Sequence, residues 1–165
     1  MKLLKWLLVV LGLTVIAVLA LLTASNVQAQ EVFVGNWTLD AAASKTSVPQ
    51  LAPTAGTLTI TDAGDGKFKS ASEVTVGGVS GRSEITYGVD GKDYAVTATP
   101  AQPGIALTQS IERVGAAYNS SIKINGQVVA TAVTEVSSDR NTLTQTTTGL
   151  GQFAALSSTM VFKRK

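Results

Sequence analysis

From residue 32 onward, apolar and polar residues alternate with a period of two, and helical periodicity is almost absent. Across residues 82–89, Ile85, Tyr87 and Val89 fall on one face while Arg82, Glu84 and Thr86 fall on the other. Residues 118–124 repeat the pattern, with Tyr118, Ile122 and Ile124 opposite Asn119, Ser121 and Lys123. Near the C-terminus Leu156, Met160 and Phe162 share a face and leave Thr159 and Lys163 outside. Two further faces combine large and small residues: Phe68, Val74 and Val76 with Ser70 and Ser72, and Val128 and Val136 with Ala130, Ala132 and Thr134. Val, Ile and Thr recur in these runs, and β-branched side chains fit a pleated surface better than a helix.

Turn signals separate the runs at short intervals. They include Asp62-Ala63-Gly64-Asp65-Gly66, Gly77-Gly78, Asp90-Gly91, Ser138-Asp139-Arg140-Asn141 and Gly149-Leu150-Gly151. Asn125-Gly126 is the strongest hairpin signal, because both residues tolerate positive φ. About ten short strands follow, joined mostly by tight turns that leave no space for crossover helices. The fold this predicts is an all-β, up-and-down antiparallel barrel of about 8–10 strands, with a β-sandwich as the alternative. Two segments break the rhythm. Residues 41–55, with Pro49 and Pro53, read as one helical turn at 41–44 followed by a long surface loop, and Thr99-Pro100-Ala101-Gln102-Pro103-Gly104 reads as a rigid turn.

The N-terminus has a different character. Lys2 and Lys5 precede an apolar run from Leu7 to Leu22, and Val27-Gln28-Ala29 supplies small residues at a cleavage position. Residues 1–29 therefore read as a secretory signal peptide cleaved before Gln30, with an uncleaved anchor as the rival. A single domain of residues 30–165 is expected to be periplasmic or extracellular. It contains no Cys, so neither a lipid-modified cysteine nor a disulfide is available. The chain has 13 Lys and Arg against 11 Asp and Glu, but two of the lysines lie in the leader. The remaining domain is close to neutral and has no electrostatic footprint for nucleic acid.

Gly35-Asn36-Trp37, just after the leader, is similar to the Gly-x-Trp signature of lipocalins and other calycins. Asp93-Tyr94 resembles part of their second motif, although Lys92 stands where that motif has threonine. Lys163 or Arg164 resembles the basic residue of the last strand that packs over the tryptophan. Residues 35–45 and 90–94 also resemble uncharacterised bacterial exported proteins described as lipocalin-like. The resemblance implies a barrel closed at one end by Gly35, Trp37 and Lys163 or Arg164.

Candidate chemistry is sparse. Without His or Cys, the usual general base, soft nucleophile and transition-metal ligands are missing, so no catalytic residue, metal or cofactor is assigned. Asp62 with Asp65 and Asp90 with Asp93 read as turn residues in preference to a calcium site, and Ser44-Lys45 makes a poor nucleophile pair. An outer-membrane barrel is disfavoured, because Lys67, Lys69, Glu73, Arg82, Glu84 and Lys123 fall where lipid-facing residues would stand. The expected function is binding of a small apolar or amphipathic ligand inside the barrel. Candidate lining residues are Phe68, Ile85, Tyr87, Tyr94, Leu107, Ile111, Tyr118, Ile122 and Met160. The alternative is a non-catalytic interaction module of the cell envelope with a solid core.

Overall fold

The computed structural model of the protein describes residues 32–165; the predicted leader and its cleavage point lie outside the described residues. Eleven strands form one antiparallel sheet. They are β1 (Gly35–Leu39), β2 (Lys45–Thr46), β3 (Pro53–Gly64), β4 (Lys67–Val76), β5 (Val79–Gly88), β6 (Asp90–Thr99), β7 (Leu107–Val114), β8 (Ala117–Ile124), β9 (Gln127–Val136), β10 (Thr142–Gly149) and β11 (Ser158–Arg164). From β3 to β11 each strand pairs with the next in sequence. β1 pairs with both β3 and β11 and closes the ring, so ten strands make the barrel and no sandwich is formed. The short β2 continues the position of β1 along β11, at Ser158 and Thr159. Every barrel strand finds both neighbours between Gly35 and Arg164, so the barrel is complete without the residues that precede it.

Up-and-down connectivity places successive connections at opposite ends. The β3–β4, β5–β6, β7–β8 and β9–β10 turns share one end with residues 33–35 and Arg164. The segment before β3, together with the β4–β5, β6–β7, β8–β9 and β10–β11 connections, shares the other. Asn125 and Gly126 have φ of 50° and 81°, which is the mirror-image turn that a two-residue hairpin requires.

The first end is sealed. Trp37 is 1% exposed, and its indole N–H donates to the Phe33 carbonyl at 3.1 Å. The Arg164 guanidinium lies 4.1 Å from the ring centroid, and Trp37 and Arg164 are direct partners across β1 and β11. Arg164 also donates to the Val34 carbonyl at 2.8 Å and the Arg140 carbonyl at 2.7 Å. Gly35, at φ 150°, has no room for a Cβ because the guanidinium occupies that space. Lys163 has no part in the seal; it points outward and donates to Thr142 Oγ1 at 3.0 Å. Phe33 stacks on Tyr118 with centroids 4.0 Å apart, and Leu143 and Phe162 complete this floor.

Several local expectations are corrected. A bulge between Ile122 and Lys123 on β8 and Val128 and Ala130 on β9 shifts the alternation. Val128 is therefore exposed and Val129 is buried in its place. Leu156 belongs to a 3-10 segment, Gly151–Leu156, and is exposed, so it does not share the inner face of Met160 and Phe162. The loop after β1 holds β2 and a 3-10 turn, Pro49–Leu51. Ser44 ties it down by donating to the Asp40 carbonyl and accepting from the Val161 N–H, a structural use of the hydroxyl. The outer wall carries cross-strand ion pairs, Lys69 with Glu84 at 3.1 Å and Arg82 with Glu73 at 3.6 Å.

Truncating the indole would leave a void under the guanidinium and remove the anchor of the first strand. Trp37→Ala is expected to cost about 3–5 kcal/mol, read as a lower midpoint in chemical denaturation.

Candidate functional site

Above the floor the barrel is hollow. A cavity of about 320 Å³ lies inside it, lined by residues from β3 to β11 together with Phe33. Seven of the nine sequence candidates line it: Ile85, Tyr87, Leu107, Ile111, Tyr118, Ile122 and Met160. The other two stand elsewhere. Phe68 is buried in the floor, tilted against its cross-strand partner Tyr87 with centroids 5.9 Å apart. Tyr94 is half-buried where β5 and β6 part, since their pairing stops at Ile85 and Val96. Its hydroxyl donates to Asp90 Oδ1 at 2.9 Å and sits 2.7 Å from where a Cβ on Gly88 would be, so it fills the seam and braces the turn.

The rest of the lining is polar and apolar in nearly equal part, and alternation already groups Ser70, Ser72 and Thr134 with inward-facing large residues. Gln109, Ser120, Gln145 and Thr147 face the cavity together with Ser70, Ser72, Ser83 and Thr134. Ser72 and Ser83 satisfy one another at 2.8 Å. Gln109 sits two residues from both Leu107 and Ile111, so strict alternation would have found it. Among the described residues no Asp, Glu, Lys or Arg lines the cavity. Among the described residues no group of three His, Cys, Asp or Glu is placed to hold a metal ion. Asp62 accepts the Gly64 N–H within its own turn.

Exposure is graded along the barrel. Lining residues near the floor, such as Ile60, Tyr118, Leu143 and Phe162, are buried, whereas Leu58, Val74, Val96, Leu107, Ile122 and Met160 are partly exposed. The cavity therefore opens toward the end opposite Trp37. The described residues contain no α-helix to cover that mouth.

Two tyrosines set the electrostatics of the base. Burial holds the Tyr118 hydroxyl protonated and pushes its pKa up to about 12, against a smaller lowering by Arg113. Tyr87 is raised as well, first by burial and then by Tyr118. The Tyr118 hydroxyl is buried and has no hydrogen-bond partner among the described residues.

No protein-family model matches the sequence, and a search of curated proteins finds no relative. Solved structures share the fold. A protein titled REP1-NXSQ fatty acid transporter aligns at TM-score 0.55 and 14% identity, over 81% of this chain and 96% of its own. Fatty-acid-binding protein 1 of Echinococcus granulosus aligns at 0.55 and 17%, over 81% and 98%. A variant of the fluorescent protein UnaG aligns at 0.56 and 17%, over 82% and 97%. At these identities the likeness establishes the closed antiparallel barrel fold and nothing finer.

Removing the buried, unpartnered Tyr118 hydroxyl should relieve the floor of the barrel. Tyr118→Phe is expected to raise stability by about 1 kcal/mol near neutral pH. The wild type, with its tyrosine raised from about 10 to about 12, should lose further stability as pH climbs through that window. The variant should lose less, and denaturation at neutral and alkaline pH checks both effects.

Proposed function

We propose that this protein is a non-catalytic binding barrel that holds a small, neutral, apolar or amphipathic molecule in its interior. The observation that carries the reading is a cavity open at one end, with aliphatic and aromatic walls, hydroxyl and amide groups among them, and no charged side chain. Burial of apolar surface would drive binding, at roughly 25 cal/mol per Å² removed from water. Gln109 and Gln145 can each donate and accept, so they suit an alcohol, ester or amide group that would otherwise enter unsatisfied. At about 320 Å³ the cavity is at the small end of ligand sites.

Two of the structural neighbours are titled as fatty-acid proteins, and this interior supports a different preference. A carboxylate taken into it would lose its hydration and meet no cation, whereas the corresponding alcohol or ester would be satisfied by the amides. The hollow interior favours a binding role over a solid-core envelope module. The charged n-region, apolar run and small-residue site of residues 1–29 support export, with residues 30–165 acting in the periplasm or outside the cell as a lipocalin-like domain.

The test pairs a long-chain alcohol with the carboxylic acid of the same chain, titrated into the protein at neutral pH. The alcohol is expected to bind at least about tenfold more tightly, with the gap closing as acid protonates the carboxylate. Ser72→Phe, which places a ring in the cavity, should abolish binding of both. Tighter binding of the carboxylate would overturn the ligand class. Failure of both probes to bind, with no ligand mass retained in native mass spectrometry, would overturn the reading itself.

A further inference from the structure

The two ends of the barrel differ in charge. At the Trp37 end the turns and their flanks carry Asp62, Asp65, Lys67, Asp90, Lys92, Glu112, Arg113, Glu135, Asp139 and Arg140, and Lys163-Arg164-Lys165 lie there as well. At the mouth the pattern reverses. Residues 47–52, 77–78, 100–106, 125–126 and 150–157 contain no charged residue. The nearest wall charges are mutually paired, Glu73 with Arg82 and Lys123 with Asp93, and Lys45 stands below on β2.

Each mouth-end connection, or the strand residue beside it, also presents a large apolar side chain to solvent. Leu51 precedes β3, Val79 follows the β4–β5 turn, Ile105 lies between β6 and β7, Val128 follows the β8–β9 turn, and Leu150 and Leu156 lie between β10 and β11. These six are between 39% and 69% exposed. Only two other large hydrophobics among the described residues are comparably exposed, Val114 at the opposite end and Val133 on the wall.

We infer that the mouth of this barrel docks on a lipid bilayer of no net charge, with the apolar rim inserted among the lipids and the cavity facing them. Three observations select that occupant. The apolar residues are spread around the whole circumference, one connection after another. A ring of separate contacts fits a planar, fluid surface that closes around each side chain, whereas a protein partner would need a matching recess for every one. The rim connections carry no cation, and Lys123, opposite Val128, is neutralised by Asp93, which fits a zwitterionic or neutral interface and provides little attraction to an anionic one. The ring surrounds the opening of an apolar cavity, so a docked barrel would join that cavity to the hydrocarbon without exposing its lining to water. Docking does not require the cavity to hold a ligand, and it stands apart from the ligand reading above.

The chain from Gln30, which contains the whole barrel, is floated with vesicles of phosphatidylcholine alone and with vesicles enriched in phosphatidylglycerol, at low and high salt. Binding to the neutral vesicles, unchanged by salt, is the expected result. The double variant Ile105→Asp with Leu156→Asp should bind at least about tenfold more weakly, since it places two charges in the interface. Val114→Asp, an exposed apolar position at the other end, should bind like the wild type, and unchanged melting temperatures would show that all three proteins are folded. Absence of the wild type from the neutral vesicles would overturn the inference. So would binding that needs phosphatidylglycerol and vanishes at high salt, which would point to the basic cluster Lys163-Arg164-Lys165 at the other end. Equal binding by the double variant would overturn it too, as would a concentration-dependent dimer, seen by sedimentation without lipid, that the double variant abolishes. Retention of long-chain alcohol binding by the double variant would keep the two readings distinguishable.

Discussion

Closure of the ring between the first and last strands is the constraint on which the rest of the structure depends. β1 and β11 are brought together from opposite ends of the domain, and only three residue pairs register them. So short a ladder needs reinforcement, and Arg164 supplies it. Its guanidinium covers the face of Trp37, where a cation–π contact contributes about 0.5–2 kcal/mol depending on how far it is desolvated. The same group holds the Val34 carbonyl in front of β1 and the Arg140 carbonyl in the β9–β10 turn, so one side chain fastens three separate segments. Arginine suits this task because its planar fork can stack and donate in two directions at once. Gly35 is the corollary, as the guanidinium occupies the space a side chain would need.

A closed ring of ten strands fixes the width of the interior, and width decides what the interior can be. Barrel diameter grows with strand number, and about eight strands already make a bore that side chains can just fill. Here the floor is filled by Phe33, Trp37, Phe68, Tyr87, Tyr118, Leu143 and Phe162. Higher up, Leu58, Val74, Leu107 and Ile122 share the inner wall with Ser72, Ser83 and Thr147, which are too small to meet across the bore, and a cavity remains. The change from an aromatic floor to an upper wall of aliphatic and small hydroxylic residues is therefore also a gradient from packed core to open vessel.

The ends of the barrel are built by different chemistry. At the floor end aspartates organise the turns: Asp62, Asp90 and Asp139 accept the N–H groups of Gly64, Lys92 and Asn141 at 2.8, 3.1 and 3.1 Å. Lys92 holds the Asp90 carboxyl down to about 2, with Tyr94 adding a further hydrogen bond. The mouth-end connections rely on Pro, Gly and Asn-Gly geometry, which sets backbone shape without charge. Antiparallel up-and-down topology sorts alternate connections to opposite ends, so a difference that looks irregular along the chain becomes a polarity in space.

Much of this was legible in the sequence, because period-two alternation is dictated by the pleat and survives any sheet arrangement. It identified the strands, the antiparallel order and seven residues of the cavity wall. It also contained more than was taken from it: once Met160 and Phe162 are inward, Arg164 shares their face and Lys163 cannot, and Gln109 falls between Leu107 and Ile111. Other features had no local signal. The bulge that exchanges Val128 for Val129 follows from fitting β9 to the curvature of β8, and both residues are valine. Tyr94 and Phe68 have the pattern of lining residues, yet a seam between β5 and β6 takes one and the floor takes the other. Leu156 leaves its expected face because it ends the 3-10 segment between β10 and β11, and the strand begins only at Ser158. The sequence by itself determined the strands and their order, since side-chain alternation and turn chemistry act between near neighbours. Only the tertiary structure decided which strands seal the ring, where the bore stays empty and which loops share an end, since those depend on contacts between residues far apart in the chain.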